Sequence, residues 1–165
     1  MVLEIHNFTQ NEIDEKLFQR VAETVLKVVG IKDKVEISLA IVGGGRMRKL
    51  NKMYRGNNRV TDVLAFENKS VLPYLAKAFP RLKKGQDIEF IGPPDRINRL
   101  GEVIICYPRA KKQAKRLAHP LKKELTILLI HGILHLLGYD HEPAGPETEK
   151  MKAMEEKILK KVNYG

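Results

Sequence analysis

Tryptophan is absent and cysteine occurs once, as Cys106. A lone thiol excludes an internal disulfide and any cysteine-rich metal site, and a reducing, cytoplasmic compartment is the simplest expectation. Aromatic residues are 6% of the 165 positions, so Tyr54, Phe66 and Tyr139 read as core or wall, with base stacking as the other reading. Long apolar runs are missing as well. The stretch Ile127–Ile130 leads straight into histidine, far short of the roughly 20 residues that cross a bilayer. The opening "MVLEIHNFTQNEIDEK" lacks a basic region followed by an apolar one, and so does not read as a secretory signal.

Acid is scarce against base. Thirty Lys and Arg face twenty Asp and Glu, for a net charge of +10, which favours polyanionic partners. The excess is local: Arg109, Lys111, Lys112, Lys115, Arg116, Lys122 and Lys123 fall within fifteen residues that contain no acid. A helix built from that stretch lacks the bulky apolar face of a membrane-surface helix. Nucleic acid is the better match, with no membrane.

Hydrophobic content of 43% over 165 residues suits one domain with a real core. "VLEIH", "VEISLAIV", "TDVLAFE" and "GEVIICYP" read as four strands. A first helix follows "VLEIH", opened by a capping box at Thr9 and Glu12 and stopped at Gly30. The triplet Gly43–Gly45 reads as a turn before a short helix closed by Gly56. Residues 67–99, punctuated by prolines, read as one long loop or flap. Beyond Pro108 the chain reads as helical: a basic helix to about Ala118, a break at His119 and Pro120, a helix ended by Gly138, and a last one from Pro146. The expectation is an α+β (α/β-like) single domain spanning 1–165, with a mixed sheet of about four strands and four to five helices.

Three of the five histidines lie in "HGILHLLGYDH", residues 131–141. On a helix, residues four apart stand one above the other, so His131 and His135 present both rings to one point. If the chain turns back at Gly138, His141 becomes a third ligand, and three neutral imidazoles leave zinc an open position for water. Asp140 and Glu142 are minor candidates as ligands or as acceptors for an imidazole N–H. His6 and His119 read as structural. The same spacing occurs in metzincin proteases, which place a glutamate base after the first histidine. Here that position is Gly132, which demotes the protease reading and leaves the metal reading intact.

"HGILHLLGYDH" closely resembles the signature of the YbeY family, bacterial metal-dependent endoribonucleases of ribosomal RNA maturation. "LNKMYRGNNRVTDVLAFE" and "LGEVIIC" resemble two further segments of that family, and the resemblance runs nearly end to end. It implies one zinc ion per chain on His131, His135 and His141, a single-strand-specific hydrolase of RNA, and a role for Arg55 at the scissile phosphate. Val60, Ala65, Glu67 and Glu102 depart from the family pattern; only Glu102 keeps a carboxylate where the family has one. The expected general base is a zinc-bound hydroxide, Glu102, Asp62 or Glu142. Arg109, Lys112, Lys115 and Arg116 are expected to track the RNA backbone, and the ribosomal subunit or its assembly factors are expected partners. The rivals are a zinc metallopeptidase-like hydrolase and a non-catalytic ribosome-assembly factor that binds RNA and holds a structural metal.

Overall fold

A computed structural model describes residues 3–67, 98–139 and 146–162. In chain order the described residues form β1 (Leu3–Asn7), α1 (Glu15–Val29), β2 (Val35–Val42), α2 (Gly44–Arg55), β3 (Val63–Glu67), β4 (Asn98–Cys106), α3 (Tyr107–Arg116), α4 (Leu121–Leu136) and α5 (Pro146–Lys161). The four strands make one mixed sheet in the order β1-β2-β4-β3. β1 and β4 flank β2 in parallel, whereas β3 runs antiparallel to β4 at the sheet edge. The fold class is α+β, as expected.

Strand periodicity sorts the side chains to two faces. Ile37, Leu39 and Ile41 join Val103 and Ile105 in the main core, together with α1, α4 and α5 residues such as Phe18, Leu129 and Ile158. Ala40, Val42, Leu64, Ile104 and Cys106 point the other way and pack on Met47 of α2. α4 is apolar almost all round because it lies at the centre of the main layer, against the sheet, α1, α3 and α5. Its buried acid, Glu124, is paired with His119 at 2.5 Å.

Two glycines fix the geometry around β4. The β2–β4 register slips between Glu36 and Ile37, which pair with Arg99 and Gly101. The bulge leaves Leu100 buried on the core side and puts Gly101 at φ +142°, where a Cβ would run into the Phe66 carbonyl oxygen. Gly132 of α4 lies so close to β4 that a Cβ there would meet Val103 Cγ1 at 2.5 Å. Only glycine lets that helix sit so near the strand.

Several boundaries differ from the sequence reading. α1 begins at Glu15, capped by Asp14, whose side chain accepts from Leu17 N. Thr9 instead bonds back to the Asn7 side chain at 2.7 Å, in a local turn; this polar side-chain turn outcompetes the capping box. Gly43 alone makes the turn before α2, and Gly44 and Gly45 form its first helical residues. Of the expected loop 67–99, Glu67 belongs to β3 and residues 98–99 to β4, held by ladder pairing; 68–97 lie outside the described residues.

Candidate active site

The last two turns of α4 carry His131 and His135 to the edge of the core. Their Nε2 atoms lie 3.0 Å apart, with the rings edge to face at 4.5 Å between centroids. From α5, Glu155 Oε1 sits 2.5 Å from His131 Nδ1. A carboxylate there favours the tautomer with its proton on Nδ1 and leaves the lone pair on Nε2, the atom that faces His135. Two imidazole nitrogens converging in this way, one of them oriented by an acid behind it, suit a divalent cation of zinc type. Among the described residues no group of three His, Cys, Asp or Glu forms; His141, Asp140 and Glu142 lie outside the described residues.

Both histidines line a cleft of about 610 Å³ whose opposite wall is the end of α2 and the approach to β3. α2 stops at Arg55 because Gly56 takes the left-handed conformation, φ +72°. Arg55 Nη2 donates to the Ala65 carbonyl at 2.8 Å, and its Cζ lies 5.3 Å from the Phe66 ring centre. Asn51, buried in α2, donates to the Arg59 carbonyl at 2.9 Å and so fixes the loop that brings Arg59 into the cleft. Asp62 also lines the cleft. One of its carboxylate oxygens accepts from Val63 N at 2.8 Å and the other from Gln113 Nε2 of α3 at 3.0 Å.

That last bond seats α3 beside the cleft. Arg109 and Arg116 lie one turn either side of Gln113, and with Lys112 and Lys115 they are exposed, while Ala110 and Ala114 face inward. At its N-terminal junction Cys106 is fully buried, and burial pushes its thiol pKa up, which makes it an inert core residue.

The structure thus brings together His131, His135, Arg55 and Asp62. It does not bring Glu102 to them. Glu102 pairs with Phe66 across β3–β4, its neighbour Val103 faces α4, and alternation turns Glu102 to the opposite side of the sheet, where it lines a separate groove. Tyr54 is not a core residue: it is 60% exposed, because α2 covers only part of its sheet face. Tyr139 lines the cleft. His6 pairs with Glu4 and His119 with Glu124, neither lining the cleft.

Glu155 and Arg59 were not singled out by the sequence reading. Glu155 left a trace there: it falls four residues after Met151 and three before Ile158, an acid within the apolar stripe of α5. Arg59, between Asn58 and Val60 in a loop, left none.

The chain is similar to known proteins over nearly its whole length. The family model "Endoribonuclease YbeY" matches residues 4–163. The chain is 33% identical over 148 residues to the Endoribonuclease YbeY of Roseiflexus sp. strain RS-1, covering 90% of this chain and 83% of that one. It is 34% identical over 160 residues to that of Thermoanaerobacter sp. strain X514, with 94% of each covered. The solution structure of TM1509 from Thermotoga maritima superposes with a TM-score of 0.59 at 25% identity, over 98% of this chain and 89% of that one.

Proposed function

The chain belongs to the YbeY endoribonuclease family and is an RNA-cleaving hydrolase, and on that premise we propose a zinc-dependent, single-strand-specific enzyme acting in ribosomal RNA maturation. The observation that carries the reading is the convergence of the His131 and His135 Nε2 atoms at 3.0 Å in a cleft they share with Arg55. His131 and His135, with His141 as third ligand, would hold the ion, which when bound supplies a Lewis acid and a water of lowered pKa.

The chain's own residues do the rest. Arg55 uses one N–H on Ala65 and keeps further guanidinium donors for a phosphate oxygen, where they offset charge gathered in the transition state. Arg59 adds a second cation on the same wall. Asp62, with both oxygens held by donors, is the carboxylate placed to orient a proton-bearing group there, and Glu102 is too remote to do so. Arg109, Lys112, Lys115 and Arg116 hold the flanking backbone. A flexible single strand bends its phosphate into a recess between α4 and β3, which a rigid A-form duplex cannot follow. We take the whole span 1–165 as one cytoplasmic endoribonuclease domain, with the ribosomal subunit or its assembly factors as partners. No described helix is long and apolar enough to cross a membrane.

In a chelator-sensitive assay, His131→Ala, His135→Ala and Arg55→Glu each abolish cleavage of a single-stranded ribosomal RNA fragment. Cleavage that persists in all three variants sinks the assignment.

A further inference from the structure

On the sheet face opposite the histidines lies a groove of about 830 Å³ that the reaction has no use for. Phe8, Met53 and Tyr54 line it and are 56%, 72% and 60% exposed. Large apolar side chains gathered on a surface mark a contact site. The charge around them narrows the partner. α2 carries Arg46, Arg48, Lys49, Lys52 and Arg55 and no acid, and both Arg46 and Lys49 line the groove.

Rings and cations are interleaved. Arg46 lies 4.5 Å over the Phe8 ring, Arg55 5.3 Å over Phe66, and Tyr54 and Phe66 sit 5.1 Å apart. Exposed rings flanked by guanidinium and ammonium groups bind single-stranded nucleic acid by stacking bases and pairing phosphates. An apolar protein segment would cover the rings and leave these cations unmatched.

We propose that this groove is a second contact for the RNA strand, outside the cleft, in which bases stack on Phe8 and Tyr54 while α2 holds their phosphates. The proposal rests on the RNA reading above. Continuity supports it. β3 is the sheet's edge strand among the described residues, and Arg55 lines the cleft while covering Phe66, which lines the groove. A strand leaving the cleft rounds the edge at β3 and meets the rings. Glu102, in the groove floor, repels phosphate and accepts instead from a base amino group, as a carboxylate does with cytosine N4.

The test uses the full chain with a labelled single-stranded RNA of about 20 nucleotides, long enough for an extended groove, and a short oligonucleotide that fills only the cleft. Binding is read by anisotropy in chelator, and cleavage separately with zinc. Phe8→Ala/Arg46→Glu and, independently, Lys49→Glu weaken binding of the long strand about tenfold or more. The same variants bind and cut the short one as the wild type does, with unchanged melting temperature. Variants that hold the long strand as tightly as the wild type overturn the groove, and the surface then serves another partner. If the variants lose the long strand but the wild type cuts nothing, the nuclease reading falls and the groove stands. If the wild type binds no RNA, both fall.

Discussion

At position 132 a methyl group is already too much. A Cβ there would lie 2.5 Å from Val103 Cγ1 and 3.0 Å from its Cγ2, well inside ordinary contact. The absent protease glutamate is therefore a packing matter as well as a chemical one: α4 approaches β4 too closely to admit any side chain at this position. Gly132→Ala should lower stability by about 1–3 kcal/mol, the usual cost of overpacking, as read from the urea midpoint. Adding Val103→Ala should recover part of that loss. An unchanged midpoint in the single variant would show that the helix shifts at no cost. The sequence revealed that an acid is missing here, but the reason needed a neighbour twenty-nine positions away in the chain.

Among the elements, α1 shows how local signals compete. The sequence placed the helix start at Thr9 and Glu12; the chain instead uses Asp14, whose carboxylate also receives Lys122 Nζ of α4 at 3.2 Å. The bond from Leu17 N, and then the one from Lys122, hold the Asp14 carboxyl below its ordinary value of 3.8. A group with a depressed folded-state pKa contributes stability above its unfolded value and loses it as pH falls through the folded one. Denaturation midpoints taken from neutral pH to below 3.8 should therefore drop more for the wild type than for Asp14→Asn, which caps the helix without titrating. Parallel curves would remove Asp14 from the acid response. α2 makes a related point. The turn glycines and Gly56 marked a short helix there, and only the sheet showed that one helix leaves Tyr54 and Met53 uncovered.

Across the whole molecule the site is assembled from distant parts of the chain: two histidines from α4, an acid from α5, and arginines from α2 and the loop after it. Glu155 couples these elements by orienting His131. Glu155→Ala should weaken zinc binding about 10- to 100-fold, as measured by competition with a metal-sensitive dye, with the fold retained by circular dichroism. Affinity within twofold of wild type would reduce Glu155 to a structural contact.

The four strands, the basic helix and the histidine pair were legible because each rests on a period: two along a strand, 3.6 around a helix, four between the paired histidines. Charge excess and the single cysteine, likewise, depend on composition alone. The side of the sheet on which each residue emerges was beyond such reading. The bulge at Leu100 and Gly101 sets the phase of β4, so Glu102, a candidate base by sequence, faces the groove, whereas Asp62, just before β3, lines the cleft. The sequence by itself determined the elements and the pair of imidazoles. Tertiary structure alone decided that Glu155 touches His131 and that Asp62, not Glu102, lines their cleft, because strand register and helix approach are set by contacts between residues far apart in the chain.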